Sequence, residues 1–319
     1  MEDQICQSAA ASVRARRRIA DHIYMTPCLP AKLLGEVLGC DLHFKAENFQ
    51  KTGSFKLRGA LSKLTTLPTD QRVVTASSGN HGIASSFAAS VLGHNLTVYL
   101  PEGVSPAKLD KIKSFGVDVV LKGSDSGQSE VIARAAAAAD ENLTYVSPYN
   151  DYEIMAGQGT IGLEIVEQVP EVDNVFISLG GGGLVSGIGS VFKAFGTNIN
   201  VIGVSAKNSA ALDAAIKNGS VVDVPHLDTL ADGVAGAMDE DSLTLPIASA
   251  VIDELVVCDE AEIASALKLL ARKEHQIVEG AAALALAGLV KNAEKYRGQT
   301  NIVLLCGANF DEQKILPLI

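Results

Sequence analysis

Positive charge is scarce in this chain. Lys and Arg number 26 against 37 Asp and Glu, so the formal net charge is −11 and the sequence pI is near 5.0. A surface of that sign repels phosphate backbones and anionic headgroups, which argues against wrapping nucleic acid or docking on an acidic membrane. Cysteine is sparse too, with Cys6, Cys28, Cys40, Cys258 and Cys306 far apart and odd in number. No CxxC pair and no zinc-ligand spacing occurs, which points to reduced thiols and a cytoplasmic chain. Long apolar runs are missing: the longest, about Ala281 to Val290, is too short to span a bilayer. The N-terminal segment has no apolar stretch ahead of a cleavage site, so no secretory signal is expected. It reads as an amphipathic helix whose basic residues, Arg14, Arg16, Arg17 and Arg18, lie on the outer face. Tandem repeats and low-complexity linkers are also absent.

What is there builds cores. The chain has 319 residues, 47% hydrophobic and 20% charged, which is roughly two domains' worth of chain. Short β-branched runs alternate with longer Ala-rich stretches. Strands are expected at Leu42–Lys45, Val73–Ala76, Leu96–Leu100, Val117–Leu121, Thr144–Val146, Val175–Leu179, Val201–Val204, Glu254–Val257 and Ile302–Cys306. Helices are expected at Ile83–Leu92, Pro106–Phe115, Gln128–Ala139, Gly159–Val169, Leu184–Ala194, Glu260–Lys273 and Gly280–Val290. Apolar strands alternating with helices imply parallel sheets covered on both faces. The expected class is therefore α/β, with two open twisted sheets covered by helices. Residues 50–146 would form a small domain, and residues 1–49 and 147–319 a large one around it.

Ligands in such folds sit beyond the carboxyl ends of the strands. Three strand-to-helix turns stand out there: Ser77-Ser78-Gly79-Asn80-His81-Gly82, Gly180-Gly181-Gly182-Gly183, and Cys306-Gly307-Ala308-Asn309. Four successive glycines let backbone N–H groups converge on one anion, and the helix that follows adds partial positive charge. A dinucleotide fingerprint is not met, because Gly181-x-Gly183-x-x leads to Ser186. A Walker lysine is absent as well, so a lone phosphate on a small cofactor fits best. Lys56 lies between Phe55 and Leu57. A lysine beside Phe is ordinarily a surface residue, but a desolvated one becomes a nucleophile for carbonyls. An anion cradle together with an amine suits a phosphate-bearing aldehyde.

The segments ENFQKTGSFKLRGA, SSGNHG, AGQGTIGLE, SLGGGG, TLADG, VEGAAALALAGL and LLCGAN follow one another along almost the whole chain. Together they resemble the fold-type II pyridoxal-phosphate family of serine/threonine dehydratases and serine racemases, which share the tryptophan synthase β-like fold. The resemblance implies pyridoxal 5'-phosphate as cofactor, with Lys56 carrying it through a Schiff base and later acting as base at Cα. Phe55 would pack near the cofactor, and Gly180, Gly181, Gly182, Gly183 and Leu184 would hold its phosphate. Asn80 would bond the ring hydroxyl, Asn150 would add a cofactor contact, and Glu279 would lie at the cofactor's edge or serve as a helix N-terminal carboxylate. Ser77, Asn80 and His81 would bind the substrate carboxylate. Cys306 would face the pyridine nitrogen as a weak donor, or be a small buried hydrophobe. The implied reaction is α,β-elimination on a β-hydroxy-α-amino acid, L-threonine or L-serine first, giving a 2-oxo acid and ammonia. A homodimer is expected by the same resemblance.

Departures from the family sharpen the picture. Ser78 stands where many dehydratases have Ala and racemases have an acid/base serine, which keeps a serine racemase reading open. No metal site is expected: Ser205 stands where the family's metal-binding Glu would be, and Ala210-Ala211 lie near its second ligand. A racemase arginine that reaches a diacid falls near Gln128 here, which argues against 3-hydroxyaspartate. Val234-Ala235-Gly236-Ala237 replaces racemase serines and suggests room for a β-methyl or a larger group, as in phenylserine. The chain ends soon after CGAN, so isoleucine inhibition is not expected. Arg58 is expected to pair with nearby carboxylates and hold the loop carrying Lys56.

Overall fold

The computed structural model describes residues 1–319. Ten strands form two sheets. The larger contains β1 (Cys28–Pro30), β2 (Asp41–Ala46), β7 (Asn174–Ser178), β8 (Asn200–Ala206), β9 (Glu254–Cys258) and β10 (Thr300–Leu305), in the order β1-β2-β10-β7-β8-β9. The smaller contains β3 (Arg72–Ala76), β4 (Leu96–Leu100), β5 (Asp118–Leu121) and β6 (Leu143–Tyr145), in the order β5-β4-β3-β6. Every pairing is parallel except β1 with β2. The nine strands and seven helices read from periodicity are all present, with ends shifted by a few residues or, for the helix read from Gly159, lengthened toward the N-terminus. The antiparallel edge strand β1 went unread: it is three residues long and contains Pro30, which an edge tolerates because it needs no inward N–H.

Helices pack on both faces. β7 is buried at all five positions, and a cluster of 52 buried residues surrounds the large sheet against 16 for the main core of the small one. The small sheet is the lighter body. The helix read from Gly159 starts seven residues earlier, at Tyr152, because Asp151 caps it by accepting from the N–H of Glu153 at 2.7 Å and of Ile154 at 3.3 Å. Gly157 on this helix lies against the backbone of Arg58, so the helix Lys56–Leu64 rests directly on it.

The basic run of the first helix, Glu2–Ile19, is less solvated than expected. Arg16 pairs with Glu167, and Arg18 reaches Glu153 and Ser62, tying the N-terminus to the helices beneath it.

Candidate functional site

Two of the turns singled out in the sequence meet, Asn309 Nδ2 donating to Asn80 Oδ1 at 2.7 Å. Gly53–Phe55 runs antiparallel to Cys306–Ala308: the Phe55 N–H donates to the Cys306 carbonyl at 3.0 Å, and the Ala308 N–H to the Gly53 carbonyl at 2.9 Å. This short pairing fixes Lys56, the first residue of its helix, beside the end of β10. The Lys56 Nζ donates to the Pro148 carbonyl at 2.8 Å and lies 5.2 Å from the centre of the buried Phe55 ring. Burial pushes its pKa down to about 8, opposed by Cys306, Glu279 and Glu130.

A Cβ at any of the four glycines of the loop would meet protein. Val234 abuts Gly180, the Tyr149 ring abuts Gly181, and Gly182 has φ of +89°, which only glycine adopts freely. The Thr244 hydroxyl donates to the Gly181 carbonyl at 2.5 Å. The N–H groups of Gly180, Gly181, Gly182, Gly183, Leu184 and Val185 find no acceptor in the protein. A second unclaimed row lies at the start of the helix Asn80–Leu92, where the N–H groups of Asn80, His81 and Gly82 have no partner.

Beside the second row lies a carboxyl. Glu279 is 2% exposed and does not cap its own helix. Its oxygens accept from Asn80 Nδ2 at 2.9 and 3.0 Å and from the Asn309 N–H at 3.1 Å, with the Cys306 thiol 3.8 Å away. No cation touches it, and burial pushes its pKa up to about 7 despite those bonds. Burial raises Cys306 as well, which keeps it a thiol.

Several expected roles look different in three dimensions. The His81 ring turns into the small-sheet core, where Nε2 meets Thr75 Oγ1 at 3.0 Å and the Val146 carbonyl at 3.1 Å. Burial, with the Lys56 charge, pushes it down to about 3, so it stays neutral. The ring is not available to a substrate carboxylate; what His81 offers is its backbone N–H. Asn150 is likewise committed, donating to Asp239 at 3.0 Å and accepting from the Leu243 N–H at 2.7 Å. Ser77 Oγ accepts from the Gly79 N–H at 3.2 Å, while the Ser78 hydroxyl makes no protein hydrogen bond. Gln128 is exposed and braces the Ser124 N–H, well apart from these groups. The helix residues whose charge faces this region are Glu130 and Arg134, which sequence reading missed because an i,i+4 pair looks like any solvated helix face.

A phosphate-sized row of donors next to a desolvated amine matches what the comparisons return. The family described as pyridoxal-phosphate dependent enzyme matches residues 19–307. The chain belongs to that family. It is similar to L-threonine ammonia-lyase of Geobacter sulfurreducens, at 36% identity over 306 residues, covering 95% of this chain and 75% of that one. It superposes on the processed threonine deaminase isoform 2 of Solanum lycopersicum with a TM-score of 0.93, at 31% identity, covering 99% of this chain and 92% of that one. Serine racemase of maize superposes with a TM-score of 0.89, at 28% identity, covering 97% and 95%. The protein is thus a pyridoxal-phosphate enzyme of the dehydratase and racemase group, of the lyase type. The chemistry present fits that cofactor: N–H groups without acceptors, an amine with lowered basicity and a neutral thiol.

Proposed function

We propose that this enzyme eliminates water from a β-hydroxy-α-amino acid, L-threonine or L-serine first, and that a water then hydrolyses the released product, so that the net change is loss of ammonia to give a 2-oxo acid. The observation that carries this reading is the desolvated Lys56 amine set among two separate rows of unclaimed N–H donors. One row, Gly180 to Leu184, suits the cofactor phosphate. The other, Asn80 to Gly82 with the Ser77 hydroxyl beside it, suits the substrate carboxylate. Pyridoxal phosphate, when bound, supplies the electron sink for charge developing at Cα.

The protein's own part is position and proton transfer. Lys56 Nζ, with its basicity lowered by burial, would take the Cα proton; as the Cα–Cβ double bond forms the Cβ–O bond breaks, and the hydroxyl, given back that proton, leaves as water. Of the residues that would hold the cofactor, Asn80 would orient its ring through the amide, Phe55 would pack beside it, and Glu279 would lie at its edge. Cys306 would be a weak donor to the ring nitrogen, which would favour expelling a β-leaving group over holding charge at Cα. Asn150 acts indirectly, by bracing the segment that precedes the helix Thr244–Val251. We read residues 1–49 and 147–319 as the large domain and 50–146 as the small one, with the site between them. Five unpaired cysteines accord with a reducing, cytoplasmic setting. A homodimer is the expected assembly, checked by light scattering.

A serine racemase is the second reading, favoured by the unpartnered Ser78 hydroxyl, which could exchange a proton on the face opposite Lys56. A 2-oxo acid assay across L- and D-serine, threonine, allothreonine, phenylserine and 3-hydroxyaspartate tests the first reading. Product from none of them would refute it. Incubating L-serine in D2O tests the second, which fails if no deuterated D-serine forms.

A further inference from the structure

One polar web at the edge of the site is not explained by the roles above. The helix Ser126–Ala138 packs on the small sheet through Ala133, which is buried with Val74 and Ala76. Arg134 on this helix is aimed before it meets anything outside. It donates to Glu130 at 2.7 Å and stacks 4.6 Å from the centre of the Tyr145 ring, whose hydroxyl also donates to Glu130 at 2.9 Å. So aimed, its Nη2 reaches both oxygens of Asp239, at 3.0 and 3.1 Å.

Asp239 belongs to the segment 232–243, which joins the large-sheet side to the helix Thr244–Val251. That segment covers the glycine loop: Val234 lies on Gly180, and the Asp239 N–H donates to the Tyr149 hydroxyl at 2.7 Å, the same Tyr149 whose ring lies on Gly181. Ala235, Gly236, Ala237, Glu240 and Asp241 are exposed. From Ala237 to Asp241, every hydrogen bond to the rest of the protein passes through Asp239, to Arg134, Asn150 or Tyr149. The Arg134–Asp239 pair is also the one ion pair joining the small-sheet helix to this segment.

We propose that Arg134 and Asp239 are positioning residues, whose ion pair draws the small-sheet side onto the segment covering the glycine loop and so sets how tightly the amino-acid substrate is held. The dependence on substrate rests on the dehydratase reading; the ordering of the segment does not. An ion pair across two bodies, with one partner on the lighter of them, stabilises the closed arrangement and leaves the reacting groups alone. Its loss therefore acts on KM before kcat.

The test uses the holoenzyme and Arg134→Gln, Arg134→Lys, Asp239→Asn and the Arg134→Gln/Asp239→Asn double variant. Hydrogen exchange should accelerate in peptides covering 236–242 in both single charge-removing variants and stay unchanged in β7 and β10. The KM for threonine or serine should rise about fivefold in each, with kcat within about twofold, and the double variant should be no worse than either single one. Arg134→Lys should recover part of the loss. Added salt should raise the KM of the parent enzyme and leave that of Arg134→Gln flat. Unchanged exchange at 236–242, additive effects in the double variant, or an equal salt response in parent and variant would each overturn the proposal. If the parent enzyme makes no 2-oxo acid from any hydroxy amino acid, the dehydratase reading falls while the exchange result still decides the latch.

Discussion

Lys56 and Arg58 are two residues apart on one helix and point to sides about 200° apart. On Arg58's side every charge is answered. Its guanidinium donates to Glu47 at 2.8 and 2.9 Å and to Glu164 at 2.6 and 2.9 Å, and Lys45 donates to Glu164 at 2.5 Å and to the Thr26 carbonyl at 2.6 Å. Two cations face two anions, all but sealed from water. On Lys56's side the amine has one carbonyl, Glu279 has no cation, and nine backbone N–H groups have no acceptor. The two buried carboxyls record the difference. Burial alone would raise Glu47, but Arg58 and Lys45 outweigh it and hold Glu47 below the usual carboxylate range, whereas Glu279 rises. A polar cluster that closes on itself holds the helix in place; one that stays open is where another molecule completes the bonding.

The largest expected effects separate function from folding. Lys56→Ala should lower 2-oxo acid formation by at least about a thousandfold and leave no pyridoxyl adduct after borohydride reduction. The cofactor-free variant should be no less stable in urea than its parent, since the lost amine was buried without an anionic partner. Arg58→Met should do the reverse. It strands two carboxylates with one cation, and should cost roughly 3–5 kcal/mol in urea unfolding. Below its unfolding midpoint the surviving Arg58→Met protein should still bind cofactor. If instead Lys56→Ala unfolds the protein and Arg58→Met does not, the contrast between the clusters is wrong.

Much of this was legible in the sequence, for identifiable reasons. Parallel strands buried on both faces read as unbroken apolar runs, so the positions of nine strands and their two-sheet class followed from Val, Ile and Leu placement, while the strand order did not. The glycine turns were visible because backbone that must approach an anion or fold back on itself excludes Cβ atoms; at Gly82 a Cβ would collide with the Ser77 carbonyl. What local pattern cannot carry is partnership across long separations. Asp239 meets Arg134 and Tyr149 from about a hundred residues away, and nothing in its neighbours marks it. The direction of the His81 side chain was hidden for a related reason: its ring is drawn to Thr75 and Val146 on the small sheet, leaving only its N–H beside the candidate carboxylate site. The pairing of Arg58 with carboxylates was expected, but its completeness depends on Glu164, 106 residues on.

The opposite behaviour of Glu47 and Glu279 gives a pH test of intermediate size. In the folded cofactor-free protein Glu279 titrates near 7, against about 4.5 when unfolded. Between those values the folded form keeps a proton that the unfolded chain has released. The stability contributed by this group is therefore complete below about pH 4.5 and gone above about pH 7. The span is at most roughly 3 kcal/mol. Glu279→Gln, which stays neutral, should flatten that fall in urea-unfolding free energy measured from pH 5 to 7.5. A slope identical in parent and variant would show that Glu279 has found a compensating charge and belongs with the closed cluster.

The smallest effect lies behind the open cluster, at Thr244. This residue is fully buried, and its hydroxyl supports the glycine loop from behind through the Gly181 carbonyl. Thr244→Val keeps the shape and removes the donor, leaving a part-buried carbonyl unpaired at a cost of about 1 kcal/mol. If the glycine loop is held ready for phosphate, part of that cost should appear as weaker binding, with the dissociation constant for pyridoxal phosphate rising about threefold. If the urea midpoint falls and cofactor affinity does not change, Thr244 serves only the scaffold. The loop's readiness would then reside in the Tyr149 ring packed against Gly181.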